Sequence, residues 1–161
     1  MKNPRTIYIG SDHAGYEMKD QLKKHMAGKE IKFIDLGSFN SDSVDYPDIA
    51  REVSEKVNED PNCLGVLICG SGVGMSIAAN KMQGIRAALC FTEEMGKLCR
   101  EHNNANILCL GSRLVPLETA LKIFDAFFYT EFENVDRHTR RIGKISVMDK
   151  KLNGEKIQDN C

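Results

Sequence analysis

The sequence predicts an α/β fold, an open and mostly parallel five-stranded sheet flanked by helices and followed by a C-terminal helical extension. Two observations carry that prediction. Short apolar runs alternate with amphipathic stretches along the chain, the pattern of strands joined by crossover helices. Glycine or polar residues follow the runs, as expected where strands open into the loops that hold ligands in such sheets.

The elements follow in order. Thr6 to Ile9 is the first strand, and Met18, Leu22 and Met26 recur at fourfold spacing on the helix after it. Ile31 to Leu36 is the second strand. Ile49, Val53 and Val57 mark the buried face of the second helix, and Pro47 stands in its first turn, where a missing N–H costs nothing. Leu64 to Cys69, Ile85 to Cys90 and Asn106 to Leu110 complete the strands. The helices between and after them are Val73 to Met82, Thr92 to Arg100, and a segment carrying Leu117, Leu121, Phe124 and Phe128 behind Pro116. A last helix covers about Arg137 to Lys151, with Ile142, Ile145 and Met148 on one side, and residues 152–161 form a polar, frayed tail. Residues 1–161 are read as a single domain.

Composition narrows the function. A chain of 161 residues holds one domain with a substantial core. Its 22 Lys+Arg against 23 Asp+Glu leave a net charge of −1, without the basic excess of a nucleic-acid or membrane-surface protein. No run approaches the length of a membrane helix, and Met1 to Arg5 leads into a strand instead of a signal sequence, so a cytoplasmic location is expected. The six cysteines form no CxxC or CxxxC pair, which predicts reduced thiols with neither a disulfide framework nor a structural zinc.

The strand exits hold the residues able to do chemistry. Cys69-Gly70-Ser71-Gly72-Val73-Gly74 puts a thiol at the end of a buried strand and glycines at the start of a helix. Successive N–H groups of such a loop converge on an anion, and the helix start favours a thiolate; the alternative is a buried cysteine acting as a small hydrophobe. The loop is a poor nucleotide motif, because Met75 stands where GxGxxG needs its third glycine. Asp12-His13 pairs a carboxylate with an imidazole for proton transfer or for holding a hydroxyl and a phosphate, though an aspartate here also serves as a helix N-cap. His102 begins His102-Asn103-Asn104-Ala105-Asn106 near a helix end, either functional or an ordinary surface histidine. Arg137 and Arg141, at i and i+4, can face one dianion with Arg113 joining them, or form a solvated basic face. Tyr46 precedes Pro47 and either contacts a substrate or packs. No two of His13, His102, His138 and Cys69 have ligand spacing, so no metal site is expected.

Taken together, Gly10-Ser11-Asp12-His13-Ala14-Gly15, Asp45-Tyr46-Pro47, the segment Cys69 to Lys81, Gly84-Ile85-Arg86-Ala87, His102 to Asn106 and Arg137-His138-Thr139-Arg140-Arg141 resemble ribose-5-phosphate isomerase type B. The resemblance runs to about residue 150. It implies a three-layer, Rossmann-like α/β/α domain that isomerises a sugar phosphate without a cofactor or metal, in homodimers or dimers of dimers whose sites draw on two subunits. By the same resemblance Cys69 is the base that moves a proton between C1 and C2 of the opened sugar. Some relatives instead use a glutamate at the position of Met75. His102, with Asp12, opens the ring, while Ser71 and the N–H groups of Gly70, Gly72, Val73 and Gly74 stabilise the enediolate. His13, Arg113, Arg137 and Arg141 match phosphate-site positions, and Tyr46 and Asn103 match substrate contacts.

This chemistry suits the residues. Aldose–ketose conversion removes a weakly acidic carbon proton, so preorganised donors must meet the developing charge. A free thiol titrates near about 8.5, so a cysteine base needs its thiolate favoured locally. The alternatives are an allose 6-phosphate isomerase, a subunit of a hetero-oligomeric galactose-6-phosphate isomerase, and a nucleotide-binding module.

Overall fold

The computed structural model describes residues 5–152; residues 1–4, Cys161 and the predicted tail from residue 153 lie outside them. Strands and helices alternate as β1 (Ile7–Ser11), α1 (Tyr16–Gly28), β2 (Phe33–Asp35), α2 (Tyr46–Glu59), β3 (Leu64–Cys69) and α3 (Val73–Ala79). They continue as β4 (Ala87–Leu89), α4 (Glu93–Asn103), β5 (Ile107–Gly111), α5 (Leu117–Tyr129) and α6 (Asp136–Leu152). The sheet has the order β2-β1-β3-β5-β4, and every pairing is parallel.

Parallel strands bury both faces, so their sequences run continuously apolar and side chains alternate between two cores. Ile7, Ile9, Val66, Ile68, Leu108 and Leu110 point to the core built with α1 and α5, where Leu22, Met26, Ile123, Phe124 and Phe127 are fully buried. Leu67, Cys69, Ile107 and Cys109 point to the opposite core, closed by Val53 and Val57 of α2 and by Met75 and Ala79 of α3. This is the three-layer α/β/α arrangement expected from the sequence.

Right-handed crossovers determine where a ligand can enter. The chain leaves β1 through α1 toward β2 and leaves β3 through α3 in the opposite direction toward β4. The helices after β1 and β3 therefore lie on opposite faces, and a crevice opens at the carboxyl ends of those two strands.

Several elements are shorter than their apolar runs, each for a local reason. β2 stops at Asp35, whose carboxylate accepts hydrogen bonds from Lys19, Lys23 and the N–H of Gly37, where the chain turns with φ +99°. α3 ends at Ala79 because Asn80 turns the chain: its amide donates to Ser76 O and Ala87 O, and its Oδ1 accepts from Ala87 N. β4 begins only at Ala87, since Arg86 N–H donates to the Asn106 side chain at 2.8 Å. α4 runs past Arg100 to Asn103 and closes at Asn104, which takes a left-handed φ of 46° and donates to Arg100 O.

α6 departs from the others. Its predicted apolar side is largely uncovered, with Ile145 39% and Met148 61% exposed. Among the described residues no helix is long and apolar enough to cross a membrane, and the five cysteines described are buried, free thiols.

Candidate active site

The crevice gathers the exits of β1, β3 and β5. Asp12, buried, receives the N–H of Gly15 on Oδ1 at 3.0 Å and donates its own N–H to Ile68 O at 3.1 Å, so it is tied to β3 while capping the approach to α1. Ser112 stitches the three exits together: its hydroxyl donates to Ala14 O at 2.8 Å and to Cys69 O at 3.3 Å. His13 stands exposed beside Asp12.

Cys69 is the last residue of β3, and its side chain faces the α2/α3 core. Its sulfur accepts the N–H of Gly72 at 3.1 Å, and the N–H of Val73 reaches Ser71 Oγ at 3.2 Å. The glycines are required by geometry. Gly72 has φ +77°, and a Cβ there would lie 2.5 Å from Leu89 Cδ1 and 2.9 Å from the Leu110 carbonyl carbon. A Cβ on Gly74 would lie 2.7 Å from the Tyr46 ring, so Tyr46 lies directly against the loop and covers part of it. The guanidinium of Arg113 packs on Gly70, and its backbone N–H donates to Gly70 O at 2.9 Å. Gly72→Ala is expected to destabilise the fold by about 2–3 kcal/mol, combining left-handed strain with overpacking. Urea unfolding followed by circular dichroism checks this, and an unchanged midpoint would contradict it.

One expectation changes within a single chain. His102 does not lie near Asp12, and Arg137 and Arg141 do not join Arg113. α4 carries His102 away from the β4 exit to the opposite edge of the sheet, just before β5. Cys69 pairs with Gly111 and Gly65 with Ile107, so four residues at about 3.3 Å each set the two edges roughly 13 Å apart before the loops are added. The sequence signal for this was present, because a helix between parallel strands must return the chain to the amino edge.

At that far edge His102 stacks on His138 with ring centroids 4.4 Å apart. His138 is 4% exposed, and its Nε2 accepts from Arg137 Nε at 3.2 Å and lies 3.5 Å from Glu133 Oε2. Burial, His102 and Arg137 together hold its pKa below the usual imidazole value, which fits a neutral ring accepting from the guanidinium. The charge of Arg141 acts in the same direction, and Asn103 is exposed at the helix end. Sequence spacing gave no sign that His102, Glu133 and His138 bring ligand-type atoms within 4.8 Å of one another. Arg137 occupies His138 Nε2, however, and holds a positive charge where a cation would sit.

The structure therefore divides the predicted residues into two groups at opposite edges of the sheet. The carboxyl edge holds Asp12, His13, Tyr46, Cys69, Gly70, Ser71, Gly72, Val73, Gly74 and Arg113. The amino edge holds His102, Asn103, Arg137 and Arg141. Ser112 and Glu133 join the two groups as residues the sequence did not single out.

Known proteins of the same pattern place this geometry in context. The Ribose/Galactose Isomerase family profile matches residues 7–145. Ribose-5-phosphate isomerase B of Escherichia coli is 39% identical over 149 residues, spanning 92% of this chain and 99% of its own. The Clostridium thermocellum ribose-5-phosphate isomerase B structure superposes with a TM-score of 0.87 at 46% identity, covering 91% of this chain and 98% of that one. The Mycoplasma genitalium enzyme, solved with bound ribulose-5-phosphate, superposes at 0.86 with 43% identity, covering 91% and 97%.

Proposed function

The chain belongs to the ribose/galactose isomerase family, and we propose that it interconverts ribose 5-phosphate and ribulose 5-phosphate through a ring-opened sugar and a cis-enediolate, with Cys69 as the base. The observation carrying the reading is the buried Cys69 sulfur at the carboxyl end of β3, which accepts the Gly72 N–H at the start of the glycine loop.

The steps follow from what each group can do. The His102 imidazole, with the Asp12 carboxylate, moves the proton between the ring oxygen and the C1 hydroxyl and so opens the furanose. The Cys69 thiolate then takes the C2 proton of the aldose, and the electron pair moves onto the carbonyl oxygen as the enediolate forms. The Ser71 hydroxyl and the N–H groups of the 70–74 loop meet that oxygen charge; the C2 hydroxyl proton then passes to O1 as the C2 carbonyl forms, and the same thiol returns the carbon-bound proton to C1. His13, Arg113, Arg137 and Arg141 hold the phosphate as a dianion, and Tyr46 and Asn103 line the sugar.

Because the two half-sites lie at opposite edges, one copy supplies Cys69 and its loop while a second supplies His102, Arg137 and Arg141. A two-fold dimer makes this exchange twice with one self-complementary surface, and the exposed Ile145 and Met148 of α6 give such a contact its apolar part. A dimer of dimers repeats it.

The purified chain, assayed with ribose 5-phosphate in the presence of EDTA and with allose 6-phosphate in parallel, tests the proposal. Turnover of the pentose is the expected result. Turnover of the hexose alone moves the substrate assignment, and inactivity on both overturns the reading.

A further inference from the structure

The edge of the sheet away from Cys69 also holds a polar cavity of about 460 Å³ in which three guanidinium groups meet. Arg5 enters ahead of β1, Arg86 ahead of β4 and Arg100 from the last turn of α4, and the side chains of Asn62 and Asn104 help to line the space. The mechanism above uses none of them.

The charge balance here is unusual for a buried site. Arg100 is 4% exposed, and burial together with the nearby charges of Arg5 and Arg86 pushes its pKa down to about 10. Two acids face the group: Glu131 pairs with Arg5, and Asp149 faces Arg86. Among the described residues three cations meet two acids here, and like charges repel most strongly where they are buried.

The hydrogen bonds of the two inner arginines go to neutral oxygens. Arg100 donates to Thr130 O at 3.4 Å, to Asn104 Oδ1 at 3.2 Å and to Ala105 O, using Nε and Nη1. Arg86 donates to Asn103 O at 3.1 Å and to Asn104 O at 3.0 and 2.9 Å, using Nε and Nη2. A guanidinium has five N–H donors, so among the described residues Arg86 Nη1 and Arg100 Nη2 carry N–H groups beyond these bonds. Carbonyl contacts satisfy geometry at a helix C-terminus but do not neutralise a buried cation.

We propose that this cavity is a second anion site, which takes a small, multiply charged oxyanion of the phosphate-ester class. Planar, fork-like donors on three sides suit phosphoryl oxygens. The volume admits a phosphate with a modest organic group attached. Arg86 also fastens the carbonyls of Asn103 and Asn104 directly after His102, so an occupant that draws on Arg86 acts on the ring-opening histidine. That consequence rests on the function proposed above; the binding itself does not.

The test is calorimetric titration of the full chain with inorganic pyrophosphate at constant ionic strength, in the wild type and in Arg137→Ala/Arg141→Ala, which removes the phosphate grip of the half-site beside His102. Saturable binding that survives in the double variant is expected, with affinity about tenfold weaker once Arg100→Gln is added. Because Arg100 is buried, Arg5→Gln provides a second variant at a partly exposed position and is expected to weaken binding in the same direction. Binding that disappears in Arg137→Ala/Arg141→Ala, or is indifferent to Arg5→Gln, overturns the proposal. Repeating the titration of the double variant with AMP and with ribose 5-phosphate separates a nucleotide from a sugar phosphate as the source of the anion.

Discussion

Replacing Cys69 by serine is expected to lower kcat by about 10³-fold with little change in KM, since positioned general-base catalysis contributes 10²–10⁴-fold. Serine preserves the size of the side chain and the acceptor for the Gly72 N–H, which now meets sulfur at 3.1 Å. What it loses is the accessible anion, because a hydroxyl is far less acidic than a thiol. The substrate contacts proposed for Tyr46, Asn103 and the arginines are untouched, so binding is expected to be retained. Steady-state kinetics give the split between kcat and KM. Exchange of the substrate C2 proton with deuterated solvent reports on the base alone, and it should stop in Cys69→Ser even where ring opening continues. Retention of more than about a tenth of wild-type kcat would place the base elsewhere.

The position that bears a glutamate base in some relatives offers no substitute here. Met75 is fully buried against Val53, Cys109 and their neighbours in the α2/α3 core. Its side chain is committed to packing while the loop before it faces the crevice. The rate of Cys69 alkylation by iodoacetamide, and its protection by ribulose 5-phosphate, would show that the thiol is reached from the substrate side.

The sheet was legible in the sequence because parallel strands buried on both faces have to be written as continuous apolar runs, as Leu64 to Cys69 is. The exits were legible because turns as tight as that at Gly72 leave no room for a side chain. What periodicity does not carry is the partner of a residue across space. Glu133, His102 and His138 come from separate segments whose approach depends on how the chain after α5 folds back on α4, where Glu133 N–H donates to Glu101 O at 3.0 Å. Arg5, Arg86 and Arg100 are likewise far apart in sequence and converge only because three elements share one edge. The same topology shows why the motifs, though correctly recognised together, do not meet within one chain.

That division predicts complementation. On the proposed two-fold dimer, Cys69→Ala and His102→Ala are each expected to be inactive alone, by at least about a hundredfold, because every site would lack either its proposed base or its proposed ring-opening group. If the chains are mixed, unfolded and refolded together, half of the dimers pair one variant with the other. In each mixed dimer one of the two sites combines the defects of both chains, while the other takes Cys69 from the His102→Ala chain and His102 from the Cys69→Ala chain. Random assortment at equal concentrations then restores about a quarter of wild-type activity, the value required for a two-fold dimer with reciprocal sites. A site assembled within one chain gives no recovery at any mixing ratio, since neither variant then contains a complete set. The dependence on ratio is itself diagnostic: activity rises with the product of the two chain fractions and peaks at equal amounts. Arg137→Ala paired with Cys69→Ala should behave in the same way, because Arg137 lies beside His138 at the same edge as His102. Arg137→Ala paired with His102→Ala should show no recovery, as both changes fall on the half-site that one chain contributes.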